Sequence, residues 1–216
     1  MSDLTNDALN AFLGAWVMDK GRSNNIDGVL TLQGVGWLKR KAMLVATVTL
    51  RNTLAENKGS TSHPLKLVTG LTVTGGIPGA MEARVFDWAD KHHDDNVFGN
   101  VIIRTQLLKA VQNSEGTLRA NLRLELSLAQ AADEQDAELF LASDAVGSSA
   151  LAAETGNGSP VYIHDFIRSE VGKWSVEQVW GLELVGSTNF LTRRIVATKD
   201  GKYEKALIVY KFDASL

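Results

Sequence analysis

The chain has 216 residues, of which 44% are hydrophobic and 22% charged, and its formal net charge is −3. This length exceeds the usual domain of ~100–150 residues but suits one large β domain, so we expect a single domain over residues 1–216. The small net charge disfavours nucleic acid as a partner, while the absence of cysteine excludes disulfides and thiolate chemistry and favours a cytoplasmic protein.

The start of the chain is polar and acidic. Residues 1–10 lack the basic start and apolar centre of a signal peptide. The longest apolar stretch, residues 42–50, contains two threonines and is far shorter than the ~20 residues that a membrane helix needs. We therefore expect no integral membrane association.

Short runs of β-branched and aromatic residues, bounded by glycine, asparagine or aspartate, recur along the chain and are typical of antiparallel hairpins. Because so many strands would leave exposed edges in an open sheet, this all-β pattern favours a closed antiparallel barrel. The predicted strands are Ala11–Asp19, Ala46–Asn52, Leu65–Thr74, Met81–Trp88, Val97–Leu107, Thr117–Leu128, Val161–Ser169, Ser175–Leu184, Phe190–Lys199 and Tyr203–Phe212.

Two stretches interrupt the strand pattern. From Ile26 to Met43, apolar residues at helical spacing are broken at Gly34 and Gly36, which predicts two short helices joined by a glycine turn. Residues 129–160 are rich in alanine, acidic residues, serine and glycine. We interpret that second stretch as an irregular insertion that is partly helical or mobile.

Two motifs near the start resemble the cytosolic fatty-acid-binding proteins. They are Phe12-Leu13-Gly14-Ala15-Trp16 and, about one helical hairpin later, Leu32-Gln33-Gly34-Val35-Gly36-Trp37-Leu38-Lys39-Arg40-Lys41. The resemblance covers residues 12–50 and implies a calycin-type, lipocalin-like barrel of about ten strands under a short helix-turn-helix lid. It also implies that Trp16 plugs the barrel base and that Tyr210 occupies the place of the family's C-terminal ligand-binding tyrosine.

Two features depart from that family. The arginine that it places two residues before the terminal tyrosine, to pair with a fatty-acid carboxylate, is Ile208 in this chain. The chain is also longer, mainly through the insertion at 129–160. A simple fatty-acid carrier is therefore less favoured than it would be for a close member of the family.

The last predicted hairpin suggests where another arginine could act instead. If Asp200-Gly201 is a two-residue turn, Arg193 faces Ile208 across the hairpin. Arg193 then shares a face with Tyr210, while Arg194 lies on the opposite face. An inward Tyr210 would place Arg193 in the cavity. The alternative is that both arginines are solvated on the sheet surface, and a register error of one residue would exchange their roles.

Other candidate ligand contacts are aromatic or cationic. Arg104 shares its predicted face with Phe98, and that mixed lining suits either an amphipathic cavity or an outer surface. Trp37 in the predicted lid and Trp180 are candidates to stack on a flat ligand, with core packing as the alternative for each. Trp16 is expected to be structural.

The sequence predicts no metal or cofactor. His92-His93-Asp94-Asp95 resembles a metal cluster, but adjacent side chains diverge on a strand, and we interpret the stretch as a charged turn. The sequence contains no nucleophile elbow, phosphate loop, dinucleotide fingerprint or zinc-protease motif.

Two classes of function fit an apolar cavity with a few polar anchors. We slightly favour a cofactor-free cyclase or isomerase of secondary metabolism, which closes a ring on a prenylated phenol or related polycyclic polyketide, by analogy with fungal natural-product cyclases of this fold. Arg193 would stabilise a phenolate and Tyr210 would donate a proton. The alternative is a non-catalytic intracellular carrier of lipid or fatty acid. The partner in both cases is a hydrophobic small molecule, and a homodimer is left open.

Overall fold

The computed structural model describes residues 9–60, 62–75, 79–112, 118–143, 161–185 and 188–215. These residues contain three helices and eleven strands. The helices are α1 (Ile26–Leu32), α2 (Trp37–Val45) and α3 (Ala131–Ala142). The strands are β1 (Gly14–Met18), β2 (Val48–Glu56), β3 (Leu65–Val73), β4 (Ala80–Arg84), β5 (Lys91–Asp95), β6 (Gly99–Gln112), β7 (Leu118–Ala120), β8 (Val161–Ser169), β9 (Trp174–Val185), β10 (Thr188–Lys199) and β11 (Lys202–Phe212).

The strands form one antiparallel, strongly curled sheet in the order β4-β3-β2-β1-β11-β10-β9-β8-β6-β5, and β7 pairs with β6 beside this path. The two ends of the order, β4 and β5, are not joined by a strand pairing within the described residues. The prediction of a closed barrel is therefore wrong in this respect, because the sheet is an open half-barrel. The mainly β, antiparallel architecture is confirmed.

The register of the last hairpin follows from its turn. Asp200 and Gly201 have left-handed φ values of 51° and 74°, as a two-residue hairpin turn of the primed type requires. Arg193 consequently lies directly opposite Ile208, and Arg193 and Trp180 are opposed across β10 and β9. The predicted pairing of Arg193 with Ile208 is confirmed.

Two segments differ from the predicted strands. Of Thr117–Leu128, only β7 pairs as a strand. The carboxylate of Glu177 accepts the backbone N–H groups of Glu125 and Leu126, each at 2.9 Å, and so replaces a neighbouring strand as their acceptor. The stretch His92–Asp95, predicted as a charged turn, belongs instead to β5 and pairs with β6.

The motif around Trp16 packs one end of the interior. The Trp16 side chain is buried, donates its indole N–H to the Phe12 carbonyl at 2.9 Å and meets the Phe212 ring edge-on. Gly14 has a φ of 97°, and a Cβ there would lie 2.8 Å from the Phe212 ring, so a side chain would not fit. Trp16 is a packing residue, as predicted.

Helices α1 and α2 occupy the stretch for which two helices are predicted, and Gly34, with a φ of 83°, lies in the turn between them. The loop before α1 is attached to β11. Asn24 donates its backbone N–H to the Leu207 carbonyl at 2.8 Å, and the Asn25 amide donates to the Lys205 carbonyl at 2.8 Å. Within the described residues, no helix has the length and apolar character needed to cross a bilayer.

A second layer covers the outer face of β8, β9 and β10. Helix α3, which lies in the predicted insertion at 129–160, packs there together with residues 118–128. The shared core includes Ala137 and Leu141 from α3 and Val179 and Val196 from the sheet. Both faces of these central strands are therefore buried, one by this layer and the other by the interior of the half-barrel. Residues 144–160 of the predicted insertion lie outside the described residues.

Candidate ligand-binding cavity

A cavity of about 490 Å³ lies on the inner face of the curled sheet. Its volume falls within the ~300–1,000 Å³ that is usual for small-molecule sites. Most of the lining is aliphatic or aromatic. Strand residues that contribute include Leu50, Leu71, Ile103, Val176, Ile195 and Ile208, and the helices α1 and α2 contribute Val29, Leu30, Met43 and Leu44.

Arg193 is the cationic group of β10 that lines this cavity. Its Nη2 donates to the Gln178 Oε1 at 2.7 Å, and its Nη1 donates to the Tyr210 hydroxyl at 3.5 Å. The guanidinium carbon lies 4.2 Å from the centre of the Trp180 ring, in cation–π contact. All of its described partners are neutral, so they orient the guanidinium and leave its charge uncompensated.

The neighbouring Arg194 differs from Arg193 in having a carboxylate partner. Arg194 is buried on the opposite face of β10 and pairs with Glu183 at 2.9 Å. Arg193 has no carboxylate partner among the described residues, and its buried Nε has no hydrogen-bond acceptor there. Since a partly buried cation is costly without a counter-charge, an acidic oxygen from a ligand would be stabilised at this position.

A buried carboxylate holds the partners of Arg193 in place. Asp165 is fully buried, and its Oδ2 accepts from Gln178 Nε2 at 2.8 Å, Trp180 Nε1 at 3.0 Å and Arg84 Nε at 3.1 Å. Its Oδ1 accepts from the Thr105 hydroxyl at 2.6 Å. Asp165 therefore fixes both the amide and the indole that position the Arg193 guanidinium.

Asp165 and Arg84 form a charged pair. Burial alone would raise the pKa of Asp165, but attraction to Arg84 and the hydrogen bonds from Thr105, Arg84 and Gln178 hold that pKa below its usual range. Burial likewise opposes the charged form of Arg84, yet Asp165 and Glu82 raise its pKa above the ordinary value. Because Arg84 already compensates Asp165, that carboxylate is not available to neutralise Arg193.

The structure brings some of the predicted ligand residues together and leaves others apart. Phe98, Trp180, Arg193 and Tyr210 line the cavity. Trp180 is only 1% exposed, and the guanidinium of Arg84 also lies over its ring, at 4.6 Å. The indole therefore packs against two cations, which makes it a support for Arg193 more than an open face for a ligand.

Trp37 and Arg104 lie outside the lining. Trp37 is the first residue of α2 and is 64% exposed, so the prediction that it contacts the ligand does not match its position. Arg104 pairs with Asp90 away from the cavity. Phe98 lies just before β6, whose first residue, Gly99, has a φ of 71°. This left-handed backbone conformation interrupts the alternation of side chains, so Phe98 and Arg104 point to different sides of the sheet.

The sequence interpretation missed several polar groups of this interior. Asp165 and Gln178 are opposed across β8 and β9, and each directly follows another polar residue, His164 or Glu177, in a strand with many apolar residues. An acidic or amide residue at an inward position of such a strand is the signal that could have identified them. Glu82, His93 and Asp95 also line the cavity and offer ligand atoms that lie within 4.8 Å of one another, so this group could hold a metal ion.

The comparisons with known proteins show a modest likeness in structure alone. No family model matches the chain, and no curated protein matches it. Among solved structures, it is similar to "As-p18, an extracellular fatty acid binding protein", with 11% identity and a TM-score of 0.49, over 94% of this chain and 97% of that one. At that score the likeness supports no inference about ligand or activity.

Proposed function

We propose that the protein binds a hydrophobic small molecule with an acidic oxygen, such as a phenol-bearing polycycle or polyketide, within the half-barrel. The apolar part of the ligand packs against the aliphatic lining, and its oxygen accepts hydrogen bonds from Arg193. The observation behind this proposal is the Arg193 guanidinium, which faces an apolar cavity without a carboxylate partner in the described chain.

Aromatic residues support a flat ligand over a simple chain. Phe98 and Trp174 both line the cavity, and their ring centres lie 5.5 Å apart in an edge-on arrangement. An aromatic ring of a ligand could make favourable offset or edge-on contacts with these two side chains. A fatty acid remains the alternative ligand, with the protein acting as a carrier.

Fluorescence titration tests the proposed anchor. Parinaric acid and a planar anthraquinone phenol are titrated separately into the wild type, Arg193→Met and Arg104→Met. Loss of a charge-assisted hydrogen bond, worth about 1.5–3 kcal/mol, predicts that Arg193→Met weakens binding roughly ten- to a hundredfold. Arg104→Met is the control, because that side chain pairs with Asp90 outside the cavity. Equal affinity of the wild type and Arg193→Met would contradict the proposal.

A second proposal is catalytic. The Tyr210 hydroxyl is next to the Arg193 guanidinium, so one group could stabilise a phenolate while the other supplies a proton. Addition of a phenol O–H across an alkene gives an isomer of the substrate and needs no co-reactant. On this proposal the protein is a cofactor-free cyclase, and the shape of the cavity selects one reactive conformation.

Stereochemistry tests the cyclase proposal. The protein is incubated with a prenylated phenolic polycycle, and the enantiomeric excess of the cyclised product is followed by chiral chromatography. A catalyst should give one enantiomer in excess, and Tyr210→Phe should slow the reaction while the substrate still binds. A racemic product at the background rate would exclude cyclase activity toward this substrate and leave the binding proposal intact.

A further inference from the structure

The two open edges of the sheet meet at the cavity. Glu82 of β4 and His93 and Asp95 of β5 all belong to its lining, although no strand pairing joins β4 with β5 in the described part of the chain. One hydrogen bond already connects the ends of these strands, because the Asn96 amide donates to the Gly79 carbonyl at 3.0 Å. The edges are therefore close enough here for side chains to bridge them.

Strand alternation gathers three metal-ligand side chains at this seam. Adjacent residues of β5 diverge, but His93 and Asp95 are two apart and share the inner face, while His92 and Asp94 are exposed. Glu82 approaches from β4. One ligand atom from each of these three residues lies within 4.8 Å of the other two, a spacing from which one ion could be shared.

Protein groups orient the carboxylates of Asp95 and Glu82, and each carboxylate keeps one oxygen that can bind a metal ion. Asp95 Oδ1 accepts the backbone N–H groups of Val97 and Phe98 at 2.7 and 2.8 Å, which fixes the carboxylate. Glu82 Oε2 accepts from Arg84. The second oxygen of each carboxylate has no hydrogen bond to a described residue, so each can serve as a ligand.

His93 supplies an independent observation. Its Nε2 is buried and has no hydrogen-bond partner among the residues that the structure describes. Leaving a buried polar atom unpaired is costly, and a metal ion is a partner that would remove that cost. This unpaired nitrogen distinguishes the group from an ordinary cluster of acidic side chains.

The ligand set selects a class of ion. One imidazole nitrogen with two carboxylate oxygens suits first-row divalent ions such as Mn²⁺, Fe²⁺, Co²⁺ or Zn²⁺, whereas Mg²⁺ and Ca²⁺ prefer oxygen alone. We propose that a divalent transition-metal ion binds Glu82, His93 and Asp95 and joins the open edges of the half-barrel. The proposal goes beyond ligand binding, since it requires no hydrophobic molecule.

Cobalt titration tests this site with the metal alone. The full-length protein is dialysed against a chelator and titrated with Co²⁺, followed by calorimetry and by the visible absorption of bound Co²⁺. We expect one ion per chain, and an affinity that falls by about tenfold or more in His93→Ala and Asp95→Asn, since even outer-shell changes cost about that much. Two separate variants are used in case one of them fails to fold.

The same strand provides matched controls. His92→Ala and Asp94→Asn remove the same side-chain types from the exposed face and should bind Co²⁺ as the wild type does. Because the ion would tie β4 to β5, Co²⁺ should raise the melting temperature of the wild type and of His92→Ala, but not that of His93→Ala. Circular dichroism establishes that each variant is folded.

Two results would overturn the metal site. One is a wild-type protein that takes up no Co²⁺, and the other is a loss of binding in His92→Ala as large as in His93→Ala. Neither result bears on the hydrophobic ligand, whose titrations are made with metal-free protein. The two proposals can therefore fail separately.

Discussion

Neighbouring residues of one strand have opposite roles in this protein. Arg193 faces the cavity with neutral partners, whereas Arg194 is neutralised by Glu183 on the other face. Sequence reasoning predicts that the two arginines lie on opposite faces, because a two-residue turn fixes the register and a strand alternates its side chains, but it leaves open which one faces the cavity. It does not predict Asp165 and Gln178, which orient Arg193, since their convergence depends on pairing between β8 and β9.

Replacing the buried carboxylate of Asp165 should destabilise the folded protein. Asp165→Asn leaves the buried Arg84 without one of its two carboxylate partners, and we expect a loss of about 3–5 kcal/mol in the free energy of unfolding. Urea denaturation measures that loss. Asp90→Asn, which removes an exposed partner of Arg104 and Arg168, is the control and should change stability much less.

The same carboxylate predicts a dependence on pH. The pKa of Asp165 is lower in the folded protein than its ordinary value of about 3.9, so its contribution to stability is present above pH ~4 and is lost as pH falls through the folded value. Urea midpoints of the wild type should therefore decrease below pH ~4, and those of Asp165→Asn should decrease less. Parallel decreases in both proteins would show that other groups dominate.

Among the secondary-structure elements, the sequence predicts long strands with alternating apolar residues well. It does not predict segments whose backbone is hydrogen-bonded to side chains. The strands β9, β10 and β11 lie close to their predicted limits, since apolar alternation and Asp200-Gly201 define them. Residues 121–128 have a strand-like composition, yet side-chain carboxylates accept several of their backbone N–H groups. Glu177 accepts those of residues 125 and 126, while Glu138 and Glu134 accept those of residues 124 and 128. The sequence does not predict strand β5, because its charged residues suggest a turn. The pairing of β5 with β6 is made by backbone hydrogen bonds and requires no apolar side chains.

Hydrogen exchange tests the role of Glu177. Its Oε1 contacts the His164 ring at 2.7 Å, while its Oε2 accepts the two N–H groups of the extended segment. A glutamine has only one acceptor oxygen, so Glu177→Gln should speed amide exchange at Glu125 and Leu126 and lower stability by about 1–3 kcal/mol. Glu125→Gln, an exposed change within the same segment, should leave exchange unaltered. Equal exchange in both variants would show that Glu177 does not hold this segment.

For the whole molecule, the sequence predicts the antiparallel β architecture but not the opening of the sheet. Closure depends on whether two edge strands meet. The charges of β5 are typical of an edge strand but also suit a turn, and β4 has no comparable signal. The sequence also does not predict that α3 packs on the outer face of the sheet. The alanine-rich and acidic composition of residues 129–160 does not show which sheet face that segment covers. Of the predicted site residues, Phe98, Trp180, Arg193 and Tyr210 line the cavity, while Trp37 and Arg104 lie outside it.

The comparison of an acid with its neutral ester tests the central claim most directly. Calorimetry would measure the affinities of one hydrophobic carboxylic acid and its methyl ester for the wild type and Arg193→Met. If Arg193 receives an acidic oxygen inside the cavity, the wild type should prefer the acid by about tenfold or more, and Arg193→Met should bind the two compounds equally. Equal binding of acid and ester by the wild type would contradict the account.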